Sequence, residues 1–122
     1  MPVAPVVIVI AYETELGRVI RDVLIDEGHD VTRVRCPYGA IGMMREKHVD
    51  LIVSLPSLQA GESGPMSDLL SEFPDVALIA LPENAAAPIP VIGRWRREGN
   101  HITLRQPFQL NDLIAAARDL VG

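Results

Sequence analysis

The chain has 122 residues, enough for one ordinary domain with a real core and too few for two. Apolar residues make up 48% and charged ones 22%, which excludes a disordered chain, and no apolar run is long enough to span a membrane. The formal charge of −5 argues against nonspecific nucleic-acid binding, and a single cysteine, Cys36, rules out an internal disulfide and fits a reducing, cytoplasmic setting.

Met1-Pro2-Val3-Ala4-Pro5 carries no basic side chain ahead of the apolar run 6–11, so that run reads as a strand and not as a signal peptide. Its β-branched core, Val6–Ile10, suits a buried strand. Thr14 is placed to cap the following helix, with Glu13 and Glu15 at its positive end. Leu16, Val19, Ile20, Val23 and Leu24 recur at three- and four-residue spacing as one apolar stripe, and Gly28 supplies the stop. Asp30–Val34 alternates like an edge strand. After a turn at Pro37 and Gly39, residues 40–47 read as a second helix.

Residues 49–55 form the stretch that organises the rest. The run is apolar at Val49 and from Leu51 to Val53, as expected of a short strand covered on both faces. Pro56 cannot donate a ladder hydrogen bond, so the strand ends near Leu55. A loop over 56–65 leads to a helix over 66–73, stopped by Pro74, and to a fourth strand over 76–81. The alanine- and proline-rich 82–90 delays a fourth helix to about 91–99. A short strand at 102–104, a turn at Gln106-Pro107-Phe108 and a closing amphipathic helix, Leu110–Val121, complete the chain. That last helix has Leu113, Ala116, Ala117 and Leu120 on one face.

Five strands alternating with helices imply a parallel sheet with helices on both sides, joined by right-handed crossovers. In such a sheet, chemistry sits just beyond the carboxyl ends of the central strands. Leu55 occupies that spot, and it offers no reactive group.

Several pieces, in this order and spacing, resemble the receiver domain of bacterial two-component response regulators. They are Glu15-Leu16, the run from Leu24 to Val31, Val49-Asp50-Leu51-Ile52-Val53-Ser54, Asp75-Val76 and Pro107-Phe108. The likeness runs from Val6 to Val121 and implies one flavodoxin-like (βα)5 three-layer α/β domain over 1–122, with a parallel five-stranded sheet in the order 2-1-3-4-5. It also implies where the family's phosphoswitch falls. The acidic pair that helps to hold magnesium falls on Ala11 and Tyr12, and the phosphoacceptor aspartate on Leu55. The hydroxyl switch residue falls on Pro82, the aromatic switch on Thr103 and the conserved-type lysine on Gln106.

Those substitutions remove the chemistry the resemblance implies. Leucine has no lone pair with which to attack phosphorus. Alanine and tyrosine do not supply the carboxylate oxygens that magnesium prefers. Glutamine donates a hydrogen bond but carries no charge to offset a phosphoryl group. The expectation is a degenerate receiver that binds no metal or cofactor, catalyses nothing and is not phosphorylated.

Other residues have plainer readings. Ser54 and Ser57 flank Leu55 without a visible base, and Glu13, Glu62 and Glu83 read as solvated loop carboxylates. His29, His48 and His101 lie at separate element ends without ligand spacing, and Cys36 has only Arg33 and Arg35 near it in sequence. Gly61-Glu62-Ser63-Gly64 lacks the lysine of a phosphate loop.

Arg94-Trp95-Arg96-Arg97 sets the only tryptophan among arginines on the expected fourth helix, and both residue types are enriched in interface hot spots. Packing of Trp95 against the sheet is the competing reading. In receivers, the face made by the fourth helix, fifth strand and fifth helix meets partners, so the resemblance implies a protein interface there, bordered by Thr103 and Arg105. A signalling protein, a histidine kinase, an output domain or a second copy would be the partner, with no nucleic acid and no membrane. The alternative is a small-molecule-binding regulatory domain with Tyr12, Leu55 and Pro82 lining an apolar pocket. The chain ends just after its last helix, so it is expected either to stand alone or to be part of a longer protein.

Overall fold

The computed structural model describes residues 4–11, 15–55, 63–81, 95–98, 100–104 and 109–121, with side chains in these spans except at 63–67, 95–98 and 103–104. The described elements are β1 (Val6–Ile10), α1 (Glu15–Asp26), β2 (Asp30–Val34), α2 (Pro37–Glu46), β3 (Leu51–Ser54) and α3 (Ser63–Glu72). They continue with β4 (Ala77–Ala80), β5 (Trp95–Glu98), β6 (His101–Leu104) and α4 (Leu110–Val121).

β2, β1, β3, β4 and β6 lie side by side and parallel, which is the expected 2-1-3-4-5 order. A sixth strand, β5, adds to the outer edge of β6 in antiparallel sense. It replaces the second half of the helix expected over 91–99. Glu98 pairs with His101, so only Gly99-Asn100 connects β5 to β6, and a two-residue Gly-Asn connection is a hairpin signal. Asn100 anchors the hairpin to the sheet: its carbonyl accepts from the Leu78 N–H at 2.9 Å, and its Nδ2 donates to the Asp75 carbonyl at 3.2 Å.

Alternation along each parallel strand splits the core in two. Val7, Val9, Leu51, Val53, Ala77, Ile79 and Ile102 pack against Ile20 and Leu24 of α1 and Leu113, Ala116 and Ala117 of α4. Ile8, Ile10, Ile52 and Leu78 face the other way, toward Ala40 and Ile41 of α2 and Leu69 of α3. Because both faces are covered, the strands read as unbroken apolar runs. Val19, counted in the apolar stripe of α1, is instead 43% exposed. Arg118 Nη2 on α4 meets Glu27 Oε1 beyond α1 at 2.6 Å, and Arg45 on α2 grips Glu72 on α3 with two 2.7 Å bonds.

α1 ends in a Schellman turn. The Gly28 N–H donates to the Ile25 carbonyl at 3.0 Å and the His29 N–H to the Leu24 carbonyl at 3.1 Å. Gly28 has φ +95°, a left-handed conformation that a Cβ would disfavour.

β3 starts two residues later than the apolar run suggests, because Asp50 uses its side chain at the strand entrance. Its Oδ2 accepts from the Val6 N–H at 2.8 Å while its own N–H donates to the Val6 carbonyl at 2.8 Å. The carboxylate thus takes the role of a ladder carbonyl at the start of β1. Asp50→Ala leaves the part-buried Val6 N–H without its acceptor and is expected to cost about 1–2 kcal/mol in urea unfolding. A loss below the precision of that measurement would show that water replaces the carboxylate.

Candidate functional site

Three hydrogen bonds define the carboxyl edge of the sheet. The Ala11 N–H donates to the Val34 carbonyl, the Leu55 N–H to the Ile10 carbonyl and the Leu81 N–H to the Ser54 carbonyl, each at 2.9 Å. Each bond extends the ladder one residue past β1, β3 or β4. Ala11, Leu55 and Leu81 therefore stand next to one another on neighbouring strand ends. All three belong to the core cluster on the α1 and α4 side, with exposures of 1%, 9% and 1%. The edge carries three hydrocarbon side chains at adjacent positions. None can bind a metal, attack phosphorus or accept a hydrogen bond.

The register also identifies the neighbour of Leu55. β3 and β4 pair Val53 with Ile79 and Ser54 with Ala80, so Leu81 is the residue level with Leu55. Pro82, expected at the hydroxyl switch position, lies outside the described residues, as do Tyr12, Arg94, Arg105 and Gln106. Glu13, Glu62, Glu83 and Ser57 lie outside them too. Thr103 sits in β6, paired with Ala80 on one side and Arg96 on the other. Trp95, Arg96 and Arg97 sit in β5, not on a helix, so the structure corrects the expected helical presentation of this patch.

Ser54 ends β3 half-buried, between Ile10 and Ala80 in the ladders. Cys36 is exposed at the start of α2 and makes no side-chain capping bond. His48 Nε2 lies 2.9 Å from Asp50 Oδ1. Among the described residues, no group of three or more His, Cys, Asp or Glu is placed to hold a metal ion.

The shifted titrations lie elsewhere. Burial pushes His29 below the ordinary imidazole value, and its Nδ1 is buried without a hydrogen-bond partner. The Tyr38 hydroxyl donates to Asp68 Oδ2 at 3.2 Å, which raises the tyrosine above its usual value. The hydrogen bond from Arg45 holds the Glu72 carboxyl below the carboxylate range. Tyr38, Arg45, Asp68 and Glu72 flank an open groove of about 720 Å³ between α2 and α3. Sequence reasoning missed this group because its members come from two helices about 30 positions apart, and no local spacing marks them.

This arrangement of strands and helices matches solved structures along nearly its whole length. A response regulator receiver protein from Sinorhizobium medicae matches with a TM-score of 0.73 at 21% identity, over 97% of this chain and 94% of that one. The chain has the receiver-domain fold. A response regulator from Thermotoga maritima matches with a TM-score of 0.70 at 17% identity, over 98% of both chains. NtrX from Brucella abortus matches with a TM-score of 0.73 at 17% identity, over 98% of this chain and 27% of that one. No protein-family model and no curated protein matches the sequence. At these identities the likeness establishes the receiver fold, and function rests on the residues the fold presents. Among the described residues, no helix is long and apolar enough to cross a membrane.

Proposed function

We propose that this chain is a receiver-like signalling module that works without phosphorylation, by contact with other proteins. The observation that carries this reading is the closed apolar edge formed by Ala11, Leu55 and Leu81 on a receiver scaffold. In this reading Leu55 stands at the phosphoacceptor position and Ala11 at one of the metal-binding positions. Acyl-phosphate chemistry then lacks both its nucleophile and an oxygen ligand. The scaffold is kept for its surfaces: the partner is another signalling protein, such as a histidine kinase or an output domain. The face that meets it includes β5, β6 and α4, with Arg94, Trp95, Arg96, Arg97 and Arg105 as the contact residues.

The competing reading, a small ligand held at the same edge, needs Leu55 to line an open pocket, and Leu55 is 9% exposed.

Incubation with acetyl phosphate and magnesium, followed by intact mass, tests the proposal. The unmodified mass is expected, alongside full labelling of an ordinary receiver in the same tube. A stoichiometric phosphate adduct on this chain would overturn the reading.

A further inference from the structure

β5 is the last strand of the sheet, and among the described residues it pairs with β6 alone. In an antiparallel pair, alternate residues direct both backbone polar groups to the partner strand, and those between direct them outward. Half of the N–H and C=O groups of Trp95–Glu98 therefore point away from β6, the arrangement that accepts an added strand.

The sequence in and around this strand is rich in basic residues. Residues 94–105 hold Arg94, Arg96, Arg97 and Arg105, four of the chain's 11 basic side chains, against Glu98, one of its 16 acidic ones. Residues 94–105 are thus a basic segment of an otherwise strongly acidic chain. An acidic partner is drawn to this edge and repelled by the rest of the surface. A second copy fits less well. Two-fold pairing of β5 with itself, centred on Arg96, on Arg97 or between them, sets arginine opposite arginine, which is unfavourable.

We propose that β5 is a strand-addition site for an extended acidic segment of a partner protein. The inference rests on the protein-contact reading above and names its mode. Backbone hydrogen bonds along Trp95–Glu98 supply sequence-independent affinity, and the arginines select for carboxylates. Because the selection is by charge, binding is expected to weaken as salt rises.

The probe is a blocked hexapeptide of alternating glutamate and valine, titrated into the 15N-labelled chain, with the lysine–valine peptide as control. The acidic peptide is expected to slow amide exchange within 95–98. Affinity should fall roughly tenfold or more for the basic peptide and for the R96E/R97E variant. Arg96→Pro and Arg97→Pro add a backbone test, since only one of two consecutive N–H groups faces outward. The variant that loses the outward donor should keep the melting temperature and lose the peptide.

Three results would overturn the proposal. The first is equal binding of both peptides, and the second is peptide-induced protection confined to other elements. The third is protection of 95–98 without peptide together with a dimer in sedimentation, which would give the edge to a second copy. A phosphate adduct in the mass experiment would sink the phosphorylation-independent reading while leaving the peptide result intact, so the two failures are distinguishable.

Discussion

Leu55→Asp is expected to destabilise the protein by about 3–5 kcal/mol at neutral pH and still to leave it unable to accept phosphate. In the proposed reading, this substitution puts back the carboxylate that an ordinary receiver uses. Here it would enter a core cluster beside Ala11 and Leu81, both essentially sealed from solvent, with no cation or side-chain donor from either neighbour. An unpaired charge in such a place raises its own pKa rather than ionising. The sign follows: a carboxyl whose folded pKa lies above its unfolded value is penalised as pH rises. The gap between Leu55→Asp and the parent should therefore be small near pH 4 and widen toward neutrality. Urea unfolding at both pH values measures this, and Leu55→Asn, polar but uncharged, should show a smaller loss with little pH dependence. Intact mass after acetyl phosphate treatment checks the second half. A variant that is as stable as the parent and takes up phosphate would mean that the edge is an ordinary receiver site lacking one residue.

Ile52→Ala is expected to cost about 3 kcal/mol, and Ile52→Val about 1 kcal/mol. Ile52 lies in β3 with Ile8 on one side and Leu78 on the other. It is fully buried in the cluster that also holds Ile41 of α2 and Leu69 of α3. Truncation there leaves a cavity bounded by two strands and two helices, none of which can close in without breaking a ladder. Leu110→Ala, at a position 38% exposed, should cost under about 0.5 kcal/mol in the same titration. If Ile52→Ala were as mild as Leu110→Ala, the α2–α3 side of the sheet would be loosely packed.

Much of the architecture was legible because buried parallel strands have little freedom of composition. The runs Val6–Ile10 and Leu51–Val53 are apolar with no alternation, and only a sheet covered on both sides accommodates that. α1 and α4 were marked by period and by their ends: Gly28 adopts the left-handed turn that its position predicted, and Leu113, Ala116 and Ala117 are buried together.

The misreadings have local causes. The stretch 91–99 was given to a helix because it followed the alanine- and proline-rich 82–90, while the two-residue Gly99-Asn100 connection, a stronger hairpin cue, was passed over. β3 starts later than its apolar run because the Asp50 side chain takes over a backbone role at the strand entrance, which no hydrophobic pattern records. The setting of Leu55 was legible from strand-end logic alone. Its neighbour Leu81 was not, since the pairing register of β3 and β4 is invisible without coordinates.

The hairpin changes what kind of strand β6 is. Held by β4 on one flank and β5 on the other, β6 has become interior, and the border of the sheet has moved outward onto four residues. Fraying or repartnering at that hem costs only the bonds between β5 and β6, so the five-stranded slab behind it keeps its shape while the margin trades neighbours.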